Sequence, residues 1–378
     1  MKILRVYVFV LAFVLVIQAC TPAGELSDED YSATVMAAGT PTSTPYPPFE
    51  LSPVPLKAGY GFRAAWLELY FTDPTSPFAQ ENAGGVEGPL TAGIVSARES
   101  VDVSINSLGV NSITQALIRV HSRGIPVRVV IETNNADRVN PQELIDAGIP
   151  VVTDRHEGLM NNRFVVIDNR EVWTGSVNYT SSGFFKEHNN LVRIISEEVA
   201  ANYTKEFEEM FANDQFGPSV VPDTPYPQVA IQDSQIEVLF SPDDIVVARL
   251  AQLLGEAQQS IHFLSSSFSS DDLGNIIRER AAQGVSVSGV IEATQFDADG
   301  SEFDSFRQAG LDVRPGSSSA LLDHNIIIID GKIVVTGSYD FTNRSENEND
   351  ENVMIIHNEK VAQRFMEEFQ RIQAQAQQ

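Results

Sequence analysis

Hydrophobic and polar positions fall into two alternating periods along most of the chain. Ser112–Arg123 (SITQALIRVHSR) has the three-to-four-residue spacing of an amphipathic helix, and the β-branched run Gly124–Glu132 (GIPVRVVIE) follows it directly. The same succession returns at Asp272–Gln283 (DLGNIIRERAAQ) and Gly284–Glu292 (GVSVSGVIE). Helix followed by an apolar strand predicts α/β units. Further strand patterns precede each unit: LELYFTDP and ESVDVSI in the first half, IEVLFSPD and QSIHFLS in the second.

The recurrence has a register. Phe164–Thr180 (FVVIDNREVWTGSVNYT) aligns without a gap on Ile326–Thr342 (IIIIDGKIVVTGSYDFT), which places Asp168 on Asp330 at an offset of 330 − 168 = 162 positions. The same offset sets Asn190 on Asn352, Ile194 on Ile356 and Phe207 on Phe369. A repeat that persists through a strand pair and into the following helix is one folding unit used twice.

Two proline-rich stretches divide the chain. Residues 21–58 form a Pro/Thr/Ser-rich segment with no sustained helical or strand period, which predicts an extended tether. Pro218, Pro222, Pro225 and Pro227 mark a linker at 216–232, leaving folding units at 59–215 and 233–378. Residues 1–20 begin with Lys2 and Arg5, continue as an apolar run from Val6 to Ile17 and end Ile-Gln-Ala-Cys. That is the layout of an export signal, and its end resembles a bacterial lipoprotein box in which Cys20 is the lipid attachment site. An uncleaved anchor is the alternative, although the run is short of the roughly 20 apolar residues that span a bilayer. The expected location is extracytoplasmic, on the bacterial cell membrane, with the membrane itself as a partner through the lipid.

Charge narrows the partners. The 378 residues contain 51 acidic and 25 basic side chains, a formal net charge of −26, so nucleic acid is a disfavoured ligand. Cys20 is the single cysteine, and no disulfide is available.

A strand, a Gly-Ser turn and an Asn/Glu segment, present twice, resemble the phospholipase D superfamily, whose pattern is H-x-K-x4-D, then G-S-x-N, then an acidic residue beside an asparagine. The resemblance implies an α/β fold of two tandem domains, each a mixed β-sheet flanked by helices and packed with pseudo-twofold symmetry, covering roughly residues 60–375. It also implies a phosphodiesterase that uses one histidine as nucleophile and one as acid, without metal or other cofactor. Carried onto this chain, the histidine positions are Asn161 and Asp323, the lysine positions Arg163 and Asn325, and the aspartates Asp168 and Asp330. Ser176 and Asn178 follow in the first copy, Ser338 and the orienting Glu351 in the second, with Asp340 and Asn189 as departures. An amide cannot carry a phosphoryl group, so a site with reduced or lost activity is expected, keeping an anion-binding or scaffolding role.

His324, one residue from the motif position, is expected to point to the opposite strand face. His156 or Asp323 acting as a substitute nucleophile would define the alternative, an active enzyme on phospholipid or nucleic-acid phosphodiesters. A purely structural envelope protein is the third reading. Asp168 and Asp330 each precede a turn and are expected to terminate hairpin strands. Arg163 offers a clamp for a phosphate-containing ligand, while Asp323 would oppose that ligand or pair with Arg163. The run Ser345–Asn352 (SENENDEN) reads as a solvated charged loop.

Overall fold

The computed structural model describes residues 49–219 and 221–377. The chain divides into Met1–Pro48, which lies outside the described residues together with Cys20 and the leader, and the compact unit Phe49–Gln378.

Within the compact unit the first sheet contains β1 (Ser52–Pro55), β2 (Tyr60–Arg63), β3 (Leu67–Phe71), β4 (Val101–Ile105), β5 (Val127–Ile131), β6 (Val151–Thr153), β7 (Arg163–Ile167), β8 (Glu171–Gly175) and, after the short β9 (Glu187–His188), β10 (Asn190–Ile195). Its order is β1-β2-β3-β10-β8-β7-β4-β5-β6, with β4, β5 and β6 parallel and the other pairs antiparallel. The second sheet contains β11 (Gln228–Ile231), β12 (Ser234–Ser241), β13 (Ser260–Ser265), β14 (Ser286–Ile291), β15 (Asp312–Pro315), β17 (Asn325–Ile329), β18 (Ile333–Gly337) and β19 (Glu351–His357), with β16 (Leu321–Leu322) outside it. Its order, β11-β12-β19-β18-β17-β13-β14-β15, repeats the first sheet from β2 onward. Both sheets are mixed, as the family resemblance implies.

Three apolar clusters explain the layering. One fills the outer face of the first sheet under the helices Glu87–Ser96, Asn111–Ser122 and Val139–Asp146. Another does the same for the second sheet under Val246–Gly255, Asp271–Ala282 and Phe303–Gln308. The third lies between the two sheets, where the closing helices Glu197–Asn213 and Glu359–Gln375 bury Tyr203, Phe207, Phe365 and Phe369 against residues of both copies. Each closing helix starts on a side-chain cap, Ser196 on the Val199 N–H and Asn358 on the Val361 N–H. Because strands are buried on both faces, they read as continuous apolar runs rather than alternating ones.

Two expectations are corrected. The segment assigned to the tether folds from Phe49 onward: Phe49 stacks on Trp66 with ring centroids 5.2 Å apart, and Ser52–Pro55 pairs with β2 as the sheet's edge. An edge strand needs no inward N–H at Pro53 or Pro55, so proline density did not exclude it. Likewise the last residues of the 216–232 linker form β11, an edge strand on β12.

Candidate functional site

Each motif is built on a hairpin, β7–β8 in the first copy and β17–β18 in the second. Asp168 and Asp330 sit at the far ends of these hairpins with φ of 56° and 53°. Asp168 accepts the backbone N–H groups of Arg98, Glu99 and Ser100 at 2.7–3.1 Å, and Asp330 accepts those of Gln258, Gln259 and Ser260 over the same range. Burial alone would raise the Asp330 carboxyl, but these N–H donors outweigh it and hold the group below its usual range. Both aspartates therefore tie the hairpin to the turn before the neighbouring strand, away from the cleft.

At the opposite ends stand the Gly-Ser turns. Gly175 and Gly337 have φ of 152° and 146°, and a Cβ at either would collide with the carbonyl oxygen of Asn190 or Asn352. The Ser176 hydroxyl donates to Asn189 Oδ1 at 2.7 Å and accepts the Asn190 N–H at 3.0 Å. Ser338 Oγ accepts the Asn352 N–H at 3.0 Å and its Nδ2 at 3.3 Å. The turns thus orient the residue facing the other copy.

The two copies meet through matching bridges. Leu322 pairs with His188 in the β16–β9 ladder, and Met160 bridges to Asp350 at the equivalent place. The next residue on each side is a motif position. Asn161 donates from Nδ2 to both oxygens of Glu351 at 3.0 Å, and Asn189, whose Nδ2 donates to the Gly183 carbonyl at 3.1 Å, stands near Asp323 and favours its charged form. Each histidine position thereby stands near the orienting position of the other copy, with carboxyl and amide exchanged between the two pairs. Arg163 joins them: Nη1 reaches Asp323 Oδ2 at 3.2 Å and the Ser176 carbonyl, and Nη2 lies 3.4 Å from Asn161 Oδ1. Asn325 donates to Asp340 Oδ1 at 2.8 Å and to the Ser338 carbonyl at 3.2 Å. The four substituted positions therefore share one centre.

That centre is electrostatically unusual. Burial pushes Asp323 up to about 7 against the pull of Arg163, and burial, with the nearby Asp340 charge, pushes Glu351 up to about 8. Asp323 opens onto a cleft of about 400 Å³ whose lining includes Asn178, Glu187, Glu292 and Asp340. The cleft wall is acidic, and the Arg163 guanidinium lies behind it, 6% exposed.

Behind each pair runs a second relay whose role the sequence reading missed. Asn190 donates to His324 Nδ1 at 3.2 Å, and His324 Nε2 lies 2.8 Å from Glu368 Oε1. These partners fix a neutral imidazole protonated at Nε2, and burial keeps its pKa low. Across the offset of 162 the equivalents are Asn352, which lies later in the chain than Asn190, and Asn162 and Glu206, which lie earlier than His324 and Glu368: Asn352 donates to Asn162 Oδ1 at 3.1 Å, and Asn162 to Glu206 Oε1 at 2.8 Å. Asn190 and Asn352 served only as register markers in the sequence, and the same offset links Glu206 to Glu368. His324 is 0% exposed and bonds to Glu368 and Asn190 behind the motif centre, away from the cleft. His156 accepts from the Gly158 N–H at 2.9 Å and packs against Gly217, outside the centre.

Ser345–Asn352 also departs from expectation. Asn349, Asp350, Glu351 and Asn352 are buried, because each meets the first copy or the Gly-Ser turn and is not a solvated loop.

A double-copy α/β protein with hairpin motifs converging on one interfacial centre defines the class. The family model described as "Cardiolipin synthase, PLD-like domain" matches residues 90–211 and 250–373, and the chain belongs to the phospholipase D superfamily. The mitochondrial cardiolipin hydrolase of Chlamydomonas reinhardtii is 29% identical over 126 residues, covering 33% of this chain and 56% of the relative. That of Canis lupus familiaris is 32% identical over 126 residues, covering 33% and 50%. The chain thus spans about half the length of the curated relatives it matches. The crystal structure of phosphatidylserine synthase from Haemophilus influenzae Rd KW20 superposes with a TM-score of 0.64 over 86% of this chain and 89% of that one, at 13% identity, a likeness of fold. Among the described residues no helix is long and apolar enough to cross a membrane.

Proposed function

We propose that this is an exported, lipid-anchored member of the superfamily whose phosphodiesterase site has lost its nucleophile and now locks the two copies together as a scaffold. The observation that carries the reading is the pairing across the copies of Asn161 with Glu351 and of Asp323 with Arg163. The positions that would attack phosphorus and protonate the leaving group are occupied by an amide and an ion-paired carboxyl, each committed to the opposite copy. Scaffolding is favoured over anion binding, because Arg163 is engaged by Ser176 and Asp323 and the cleft presents Glu187, Glu292 and Asp340 to any incoming phosphate.

The full chain incubated with bis(4-nitrophenyl) phosphate should release nitrophenolate no faster than buffer, since losing the nucleophile removes several powers of ten in rate. Asp323 supports a second reading, as the motif carboxyl that reaches the cleft. Turnover that disappears in Asp323→Asn would establish that reading and defeat the first. Export and anchoring rest on the leader ending at Cys20, and labelled palmitate should enter the wild-type chain but not Cys20→Ala.

A further inference from the structure

The two relays behind the motif centre are related by the 162-residue offset, yet they end differently. In one, Glu368 receives Arg371 Nε at 2.7 Å and Nη2 at 2.8 Å, and Arg371 Nη1 lies 3.6 Å from Asp73. Asp73 stands two residues beyond the end of β3 in the other copy, so the guanidinium sits between a helix carboxylate and a loop carboxylate. In the other relay the equivalent of Glu368 is Glu206, and the equivalent of Arg371 is Glu209. The loop carboxylate is Asp243, two residues beyond the end of β12. Where one site has two carboxylates around an arginine, its counterpart has three carboxylates and no arginine.

Those three groups converge. Glu206, Glu209 and Asp243 each bring an oxygen within 4.8 Å of the others. Glu206 and Glu209 are 6% and 4% exposed. Lys205 Nζ lies 3.1 Å from Glu209 Oε1 but is shared with Asp223 at 2.5 Å and faces solvent. Glu209 Oε2 is buried and meets no hydrogen-bond donor. Asn162 supplies Glu206 with one donor, and among the described residues no cation besides Lys205 is placed to offset the triad. Like charges gathered out of water at this spacing repel strongly unless a cation intervenes or the groups hold protons.

We infer that Glu206, Glu209 and Asp243 bind a hard divalent cation of the calcium class, which takes the place Arg371 fills in the other copy. All ligands are carboxylate oxygens, which suits calcium rather than a metal that prefers nitrogen or sulfur. Oxygens about 2.4 Å from a central calcium lie up to about 4.8 Å apart, the scale on which these three sit. Because Glu206 and Glu209 belong to the first copy's closing helix and Asp243 to the second copy, the ion links the copies as the Glu368–Arg371–Asp73 ion pairs do.

The test is calcium chloride titrated into the EGTA-treated full chain, with thermal unfolding followed by circular dichroism and sodium chloride of equal ionic strength as the control. A site of millimolar to submillimolar affinity should raise the melting temperature by about 3 °C or more at 10 mM calcium, saturably, with no such rise in sodium chloride. Glu209→Arg, which copies the arrangement at Arg371, should abolish the calcium response while melting at or above the calcium-free wild type. Should that variant fail to fold, Asp243→Asn is read for the same loss of response. A wild type indifferent to calcium, or a rise of equal size in Glu209→Arg or Asp243→Asn, overturns the inference, the latter assigning the effect to the general negative charge.

Discussion

Replacing Glu351 by glutamine tests whether the interfacial centre is held together by a retained proton. Glu351 is fully buried, accepts from Asn161 Nδ2 at 3.0 Å and from Asn349 Nδ2 at 3.1 Å, and is raised from an ordinary 4.5 to about 8. The folded chain therefore keeps a proton between those values that the unfolded chain has released. A raised carboxyl pKa contributes stability that is fully present below 4.5 and is lost as pH climbs through 8. Each pH unit inside the window removes about 1.4 kcal/mol, so two units, from pH 5.5 to 7.5, remove roughly 3 kcal/mol. Glu351→Gln has the shape of the protonated acid and no proton to lose, and its amide can meet Asn161 with either end of that side chain reversed. Thermal melts at constant ionic strength should show the variant gaining on the wild type by roughly 6 °C between pH 5.5 and 7.5, using about 2 °C per kcal/mol for a domain of this size. Asp323 and Asp350 slope the same way, so the wild-type-minus-variant difference is the quantity to read. A difference that does not change with pH would refute the reasoning.

Other parts of the site make separate predictions. Arg163→Met should destabilise by about 2 kcal/mol at pH 8, because the half-buried Asp323 is left without its counter-charge, and adding Asp323→Asn should recover most of the loss in urea unfolding. Gly337→Ala, which drives a Cβ into the Asn352 carbonyl, should cost at least about 2 kcal/mol in the same measurement, against about 1 kcal/mol for Gly331→Ala, where a Cβ meets nothing. Asp330→Ala should lose about 1–3 kcal/mol at pH 7 through three stranded N–H groups. Since the Asp330 pKa is lowered, that difference should shrink as the pH falls through and below 3.8, which urea titrations at pH 7 and pH 3 would show.

The repeat was legible because buried strands and closing helices repeat their apolar residues at one offset, and Phe207 and Phe369 do occupy matching places in the central cluster. So were the motif positions, since a hairpin fixes which residues stand at its end. The edge strands at Ser52–Pro55 and Gln228–Ile231 were hidden by prolines that an edge tolerates. The burial of Asn349–Asn352 was hidden for another reason: acidic and amide side chains look solvent-seeking until partners from a distant segment satisfy them, as Leu159 and Asn161 do here. The Asn162–Glu206 and His324–Glu368 relays are non-local in the same way, and only the offset of 162 could have paired them.

The exchange of carboxyl and amide between the two central pairs has a physical consequence for any attempt to restore chemistry. Each pair carries one carboxyl, and each carboxyl is stabilised differently, Glu351 by two asparagine amides and Asp323 by Arg163 and Asn189. A histidine introduced as Asn161→His would stand beside Glu351, in the relation that orients a nucleophilic imidazole. Its counterpart, Asp323→His, would stand beside Asn189, which offers no carboxylate to stabilise an imidazolium, and next to the Arg163 guanidinium, which disfavours one. The second copy's side therefore needs both Asp323→His and Asn189→Glu, and the new carboxyl would in turn compete with Glu187 and Asp340 near the cleft. Because the two substitutions are complementary rather than identical, a histidine placed in one copy leaves the other copy without one, and the centre is a single inter-copy unit rather than two half-sites.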